Sequence, residues 1–326
     1  MTPAPGLPAD RGYFADDPVT VRRRLVSLAS SRTRTPLALV PLSRRNHRVW
    51  RVHWTAHRAE IVKLVCGSTM TEVRAAAKWL AHEVQVLDHL QKAGGSAYGV
   101  TDFGQELATP IVTWATVGVA EGCRASVLLR KVCQDESEAL DLCLRILYRL
   151  AELHRVPLDG FTDLDPTDRT TLDRPLHRQH LPESGTARRT VAQLALARAT
   201  APRLALCHGD ASLHNILVSP RQVALIDWAY ARADLPSLDL APLFVWLAQH
   251  TPDAAACLRL AAELPTAYRD SGTDPQTALP AQLARILLQW SAWRGPRYAR
   301  TAARVARART ATESITELCT GLRRPT

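Results

Sequence analysis

The segment 208–227, HGDASLHNILVSPRQVALID, constrains the chain more than any other part of it. Two short apolar runs, ILV and VALI, flank the turn-like residues SPRQ. Apolar runs around a turn of this kind predict a β-hairpin. The hairpin would bring Asn215, which precedes the first strand, beside Asp227, which ends the second. A carboxylate at the end of an apolar strand needs a polar partner, so the segment predicts a site as well as a fold.

The side chains of this hairpin fit one kind of cation. A single amide oxygen and a single carboxylate are a poor cage for calcium, but they suit Mg²⁺, which keeps several waters and takes other ligands from substrate phosphates. Asn215 and Asp227 therefore predict a partial Mg²⁺ shell. Asp210 lies in the loop that leads into the hairpin. A carboxylate beside a metal–phosphate site can orient a hydroxyl and accept its proton.

The composition excludes several classes of protein. The chain has 326 residues, of which 46% are hydrophobic and 22% charged, so we expect a globular fold of one two-lobed unit or two domains. No apolar run approaches the length of a membrane span, and the first residues do not have the pattern of a signal peptide. The seven cysteines form no CxxC pair, and this pattern argues against a disulfide framework and against a structural zinc site. We expect a cytoplasmic protein without a membrane partner.

Arginine supplies most of the formal net charge of +10. Residues 1–60 contain eleven arginines and four acidic residues, and residues 285–326 contain nine arginines and two acidic residues. A basic surface can steer nucleic acid, a membrane or an anionic small molecule. A solvated arginine surface is the simpler interpretation. Because the chain has no nucleic-acid-binding motif, nucleic acid is not an expected partner.

Strand-like patterns dominate the chain before residue 133. Runs rich in β-branched and aromatic residues are typical of strands. They lie within 36–54, and at 59–66, 109–119 and 124–132. Over 71–95, apolar residues recur at helical spacing, and two glycines end the predicted helix.

From about residue 137 the pattern becomes helical. Helices are predicted over 138–156 and 186–200, and the segment between them is polar and rich in Asp, Arg and Pro. After the hairpin the chain is expected to be mostly helical. Three parts follow from these patterns: a flexible lead-in at 1–20, a β-rich lobe at 21–132 and a mainly helical lobe at 133–326.

The hairpin segment also resembles a known family. HGDASLHN matches H-G-D-x-x-x-x-N, and LIDW matches the I-D-W/F that follows it in the aminoglycoside phosphotransferase and choline kinase-like family. Further similarity lies in ILYRLAELHRVPLDG (146–160), SLDLAPL (237–243) and EIVKLV (60–65). The resemblance covers about residues 35–250. It implies an α+β, bilobal protein-kinase-like fold, with a small β-rich N-terminal lobe and a larger, mainly helical C-terminal lobe.

The resemblance implies roles for the residues around the hairpin. Asp210 would be the catalytic base or would position the acceptor hydroxyl. Asn215 and Asp227 would hold Mg²⁺. His208 and Asp239 would support the loop and take no part in the reaction. Positioning and charge neutralisation would then carry phosphoryl transfer.

The resemblance also implies roles in nucleotide binding. The expected nucleotide is ATP, and GTP is the alternative. Lys63 would contact the α- and β-phosphates, and Glu83 would pair with Lys63. The phosphate loop would include Ser43 and Asn46, although the segment has no glycine where the family usually has one. The hinge that binds adenine would lie near 129–133.

The implied activity is transfer of the γ-phosphate of ATP to a hydroxyl of a small molecule. A protein kinase is not expected, because Gly209 stands where protein kinases carry an arginine before the catalytic aspartate, and no D-F-G or A-P-E follows. An inactive, nucleotide-binding pseudokinase is the alternative from another class. Such a protein would be expected to lose Asp210, Asn215 or Asp227, and all three are present.

Charge narrows the choice of acceptor. Polycationic aminoglycosides need clustered carboxylates, but residues 228–326 contain only eight acidic residues. We therefore expect a neutral or anionic acceptor, a natural-product antibiotic with a nucleoside or sugar unit, bound by a monomer or homodimer. A sugar, an amino alcohol or another central metabolite is the alternative. Aminoglycosides would become suitable if four acidic residues lined the cleft: Asp234, Glu263, Asp270 and Asp274.

Overall fold

A computed structural model describes most of the chain. The described residues are 37–42, 49–67, 70–94, 99–106, 111–132, 135–161, 185–250 and 255–293. The predicted lead-in at 1–20 and the phosphate-loop residues Ser43 and Asn46 lie outside them. Contacts divide the chain into two units, Met1–Ala120 and Glu121–Thr326. Within the described residues, no helix combines the length and hydropathy that a membrane crossing requires.

The first unit contains a five-stranded antiparallel sheet. Its strands are β1 (Ala38–Pro41), β2 (Val49–His53), β3 (Ala59–Gly67), β4 (Val100–Glu106) and β5 (Ile111–Gly118). They lie in the order β1-β2-β3-β5-β4. Helix α1 (Met70–Lys92) connects β3 to β4. The predicted helix and three of the predicted strand regions are therefore present, and β4 is an additional strand.

Alternation along β3 decides which side chains face α1. Val62 and Leu64 belong to one apolar cluster with Trp50 and Val52 of β2. Val65 belongs to a different cluster, which includes residues of α1. Because successive side chains of a strand point to opposite faces, Lys63 shares the face of Val65 and is directed toward the helix.

The second unit is mainly helical. Helix α2 is Ala125–Val132, and α3 (Glu136–His154) begins at Asp135, whose side chain accepts hydrogen bonds from the backbone of Ser137 and Glu138. The apolar face of α3 is buried, as its helical spacing predicts. Later helices are α4 (Gly185–Thr200), α5 (Ser237–His250), α6 (Ala255–Ala262), α7 (Leu264–Ala267) and α8 (Leu279–Trp293).

Five short strands interrupt these helices. The three-stranded sheet has the order β6-β8-β9, formed by β6 (Cys123–Arg124), β8 (Ile216–Val218) and β9 (Val223–Leu225). A separate antiparallel pair consists of β7 (Ala205–Cys207) and β10 (Arg232–Asp234). These strands carry the loops that contain the predicted site.

The predicted strand at 124–132 is wrong. Only Cys123–Arg124 is extended, and Ala125–Val132 is helical, with Ala125, Ser126 and Leu129 buried on one face. A short apolar run fits both a strand and a buried helix, and here the helical spacing of the buried positions prevails. Residues 129–132 of the expected hinge therefore lie in α2, and residue 133 lies outside the described residues. Since β6 pairs with β8, residues 121–132 lie in the second unit.

Candidate active site

The predicted hairpin is present and places Asn215 next to the end of β9. Ile216 pairs with Leu225, and Val218 pairs with Val223. At the open end of the hairpin, the Ile226 N–H donates to the Asn215 carbonyl at 2.8 Å. The residue after Ile226 is Asp227. The sequence therefore brings an amide and a carboxylate together by local strand pairing alone.

Asp210 and Asn215 are in direct contact. The Asn215 amide nitrogen donates to the Asp210 carboxylate at 2.9 Å and to the Asp210 carbonyl at 3.1 Å. This orientation uses the nitrogen end of the amide, and the oxygen end, Oδ1, is the kind of ligand atom that a hard cation prefers. The chemistry of the donors therefore fits Mg²⁺.

Electrostatics at the site are consistent with a cation. Burial raises the pKa of the Asp210 carboxyl above its usual value, and the negative charge of Asp227 raises it further. His208 and hydrogen bonds from Ser212 and Asn215 act in the opposite direction without cancelling the shift. A divalent ion bound at Asn215 and Asp227 would stabilise the charged form of the nearby Asp210 carboxylate.

Asp227 has an unusual backbone conformation. Its φ of 69° and ψ of 68° lie in the left-handed region, which residues other than glycine rarely adopt. The chain leaves β9 through this conformation and continues into a short 3₁₀ turn, Trp228–Tyr230. Trp228 is buried and donates from Nε1 to the Leu225 carbonyl at 3.0 Å. As a result, the Asp227 side chain is exposed at the end of a buried strand.

Asp239 holds the backbone before Asp210. Its carboxylate is fully buried and accepts hydrogen bonds from the His208 N–H at 2.6 Å and the Gly209 N–H at 2.9 Å. Burial would raise the pKa of Asp239, but the hydrogen bond from His154 and the favourable interactions with His154 and His208 lower it below its usual value. Asp239 is therefore ionised, and it fixes the loop through two charge-assisted hydrogen bonds.

His208 connects the two loops of the site. Its Nδ1 lies 3.3 Å from the backbone nitrogen of Asp210, and its Nε2 lies 3.0 Å from the carbonyl oxygen of Ile226. A neutral ring satisfies both contacts if Nδ1 accepts and Nε2 donates. These contacts agree with a supporting role, since neither ring nitrogen remains for chemistry.

A buried group of possible metal ligands lies beneath the loop. One ligand atom from each of His154, Cys207 and Asp239 falls within 4.8 Å of the others. Hydrogen bonds already engage these atoms, including one from the Cys207 thiol to the Leu235 carbonyl at 3.3 Å. Burial also raises the pKa of the Cys207 thiol, whereas a thiolate is needed to bind metal. The group is therefore a hydrogen-bonded support of the loop.

We expect Gly209→Ala to destabilise the protein severely. Gly209 has a φ of +79°, and a Cβ at this position would lie 2.0 Å from the Tyr230 carbonyl oxygen. The left-handed conformation costs an alanine about 1–2 kcal/mol, and the backbone clash adds about 1–3 kcal/mol. Chemical denaturation measures the loss. Gly160→Ala is the matched control, because Gly160 has a φ of +74° and nothing within 4 Å of its added Cβ. Equal losses in the two variants would contradict the close contact.

In the first unit, Lys63 and Glu83 form the expected ion pair. The Lys63 ammonium lies 2.6 Å and 2.7 Å from the two carboxylate oxygens of Glu83. The side chains are 17% and 4% exposed, respectively. Strand alternation directs Lys63 toward α1, and Glu83 follows buried Leu80 by three residues on that helix. This geometry holds the ammonium in place on a side chain that keeps a small exposed fraction.

Sequence reasoning assigned no role to two residues of the loop support. His154 contacts Asp239 at 3.1 Å, and Tyr268 contacts His154 at 2.6 Å. The sequence did contain an indication for His154, which is the histidine of the family-like segment ILYRLAELHRVPLDG. It contained none for Tyr268, which lies 114 residues from His154 and in no motif.

Comparison with known proteins places the chain in a family. The model of the phosphotransferase enzyme family (APH) matches residues 39–274. No curated protein matches the sequence at a significant level. A thermostable mutant of aminoglycoside phosphotransferase APH(4)-Ia, in a ternary complex with AMP-PNP and hygromycin B, is 17% identical, with a TM-score of 0.51 over 91% of this chain and 98% of that chain. Wild-type aminoglycoside 2'-phosphotransferase-IIIa, as a GDP complex, is 12% identical, with a TM-score of 0.50 over 91% and 99%.

These structural likenesses support the same α+β, protein-kinase-like fold that the sequence predicts. The family match spans β1 to the end of α7 and includes the hairpin with Asp210, Asn215 and Asp227. The chain therefore belongs to the phosphotransferase enzyme family and is a small-molecule kinase.

Proposed function

We propose that this kinase transfers the γ-phosphate of ATP, or of GTP, to a hydroxyl of a natural-product antibiotic. The observation that carries the proposal is the assembly of Asp210, Asn215 and Asp227 at the base of one hairpin. All three groups that a metal-dependent phosphotransferase needs are present, which argues against an inactive pseudokinase.

Asp210 is the proposed base. Its carboxylate would orient the acceptor hydroxyl and take its proton as the oxygen attacks phosphorus. Burial raises the pKa of this carboxyl, and Mg²⁺ bound nearby would act in the opposite direction. The contact with Asn215 fixes its rotamer, and Asp239 fixes the backbone on which it lies. Such fixed positioning is a large part of phosphoryl-transfer catalysis.

Asn215 and Asp227 are the proposed ligands of Mg²⁺, through the amide oxygen and the carboxylate. When bound, the ion neutralises charge on the phosphates and helps to orient them. In the first unit, Lys63 is the proposed contact of the α- and β-phosphates. Glu83 would hold the Lys63 ammonium in one direction through its two short hydrogen bonds.

The acidic residues of the second unit argue against a polycationic acceptor. Asp234 is buried and paired with Arg232 at 2.8 Å and with Arg198 at 3.6 Å. Glu263 accepts a hydrogen bond from Tyr148, and Asp274 accepts from Gln276 and Thr277 within its own turn. Of the four acids that an aminoglycoside site would need, these three have other partners. A neutral or acidic acceptor, such as a nucleoside or glycoside antibiotic, fits the basic chain better.

Free thiols favour a reducing compartment for the proposed enzyme. Cys123, Cys143 and Cys207 are free thiols, and the last two are buried. Burial raises the pKa of Cys207, so this thiol stays protonated and inert. We propose a cytoplasmic enzyme, monomeric or homodimeric, that has no nucleic-acid or membrane partner.

An ADP-release assay tests the acceptor class. The acceptors are sorted by net charge and measured at low and high salt, with ATP and GTP compared as donors. We expect neutral and acidic antibiotics to be phosphorylated faster than kanamycin-type polycations. The difference should shrink at high salt, because the Debye length falls from about 10 Å at 0.1 M to about 3 Å at 1 M.

Three results of this assay have different meanings. Efficient phosphorylation of a polycation at low salt would refute the charge argument alone. Faster turnover of a sugar or amino alcohol than of any antibiotic would replace the antibiotic proposal with a metabolite kinase. Absence of metal-dependent turnover with every acceptor would argue for the pseudokinase.

A further inference from the structure

Two tyrosines connect helix α3 with the segment around α7. Tyr148 is 42% exposed, and its hydroxyl donates to Glu263 at 3.2 Å. Tyr268 is only 4% exposed, and its hydroxyl lies 2.6 Å from Nδ1 of His154. In both links a tyrosine hydroxyl forms a hydrogen bond with another side chain. They differ in whether that partner side chain makes further hydrogen bonds toward the interior of the protein. The Tyr148 link ends at the surface, whereas the Tyr268 link continues into the protein.

Behind Tyr268, hydrogen bonds run without interruption to the catalytic loop. Nε2 of His154 lies 3.1 Å from Oδ2 of Asp239. The same carboxylate accepts from the backbone of His208 at 2.6 Å and of Gly209 at 2.9 Å. The next residue is Asp210, the proposed base. Tyr268 is thus separated from the backbone of the catalytic loop by two side chains.

The donors and acceptors of this series can be assigned. Asp239 is ionised and only accepts, so Nε2 of His154 must carry the proton that it donates. In a neutral ring, Nδ1 is then an acceptor. Tyr268 must donate to it, and burial, with the nearby Cys207 and Asp239, raises the pKa of Tyr268 and keeps its proton in place. The Tyr268 hydroxyl therefore selects the His154 tautomer that can serve Asp239.

We propose that Tyr268 is a positioning residue for phosphoryl transfer. It acts through the tautomer of His154 and the carboxylate of Asp239 on the loop that carries Asp210. The proposal rests on the proposed role of Asp210. Because Tyr268 directly follows α7, this series of hydrogen bonds also connects the end of α7 with the catalytic loop.

The test removes one oxygen atom. Tyr268→Phe keeps the ring and its packing but leaves Nδ1 of His154 without the tyrosine donor. The His154 ring can then place its proton on Nδ1, which would turn the Nε2 lone pair toward the Asp239 carboxylate. We expect kcat to fall about tenfold, which corresponds to the loss of one well-made hydrogen bond, with little change in KM for ATP. Tyr148→Phe is the matched control and should leave kcat unchanged.

A second variant separates positioning from packing. In His154→Gln, the side-chain amide can donate to Asp239 and has no tautomers to select. Adding Tyr268→Phe to this variant should therefore lower kcat no further. A tenfold loss in the double variant as well would overturn the proposed route through His154. Equal kcat for Tyr268→Phe and Tyr148→Phe, measured well below both unfolding midpoints, would overturn the proposal as a whole.

The His154 tautomer in the wild-type protein gives an independent readout. Nitrogen-15 NMR of histidine-labelled protein should show a His154 ring protonated at Nε2 only, assigned by its absence in His154→Gln. A ring protonated at Nδ1 would overturn the proposal even if Tyr268→Phe did not fold. Failure of the proposed function is a different result, because the wild-type enzyme itself would then show no metal-dependent turnover.

Discussion

Asp227→Asn is expected to reduce phosphate transfer by at least about a thousandfold, because a metal ion contributes several kcal/mol to the transition state and the variant removes its only proposed carboxylate ligand. Asparagine is the appropriate replacement. It tolerates the left-handed conformation of Asp227, which alanine would strain. The fold should therefore be unaffected. Steady-state kinetics over a range of Mg²⁺ concentrations measures the loss.

Nucleotide binding provides the control for this experiment. Titration calorimetry should show that ATP without metal binds the Asp227→Asn and wild-type proteins equally, and that Mg²⁺ strengthens binding only in the wild type. Asp270→Asn, a change at an exposed carboxylate, should behave as wild type. Retention of Mg²⁺-dependent turnover by Asp227→Asn would remove Asp227 from the site.

Asp210→Asn is expected to lower kcat by about 10²–10⁴-fold, the usual contribution of a general base. KM for ATP should remain near the wild-type value, since Asp210 is proposed to act on the acceptor hydroxyl. The variant is nearly isosteric, and its amide oxygen can still accept the hydrogen bond from Asn215. Structure and metal binding should therefore persist while the proton acceptor is lost.

The division between kcat and KM decides the role of Asp210. A defect confined to KM for ATP would mean that Asp210 orders the nucleotide site and takes no part in proton transfer. Asp141→Asn, a change at an exposed position of α3, is the matched control for loss of one carboxylate and should change neither constant.

Local patterns predicted the geometry of the hairpin around the candidate site. The pairing of ILV with VALI requires only neighbouring residues and a turn, and it brings Asn215 and Asp227 together. Alternation along β3 and helical spacing in α1 are also local, and they account for the direction of Lys63 toward Glu83. The family motif added Asp239, whose distant contact with the loop no periodicity could reveal.

Tertiary packing explains what the sequence did not predict. Strand β4 has an irregular pattern, and a Cβ at its Gly104 would lie 2.4 Å from the Trp114 ring of the neighbouring strand. Glycine usually counts against a strand, but here it makes room for a tryptophan. The short run at 125–132 fits a strand as well as a helix. Tyr268 meets His154 only when α3 and α7 pack together.

The left-handed backbone of Asp227 has an evolutionary consequence. Among the natural residues, only glycine, asparagine and aspartate adopt this conformation readily. Only glycine and asparagine can therefore replace Asp227 without straining the backbone, and neither has a carboxylate. A glutamate would conserve charge but strain the backbone, so the charge cannot be preserved by a similar residue. We infer that one substitution converts this enzyme into a stable, inactive nucleotide-binding descendant, and an unfolding midpoint of Asp227→Asn well below that of the wild type would contradict this route.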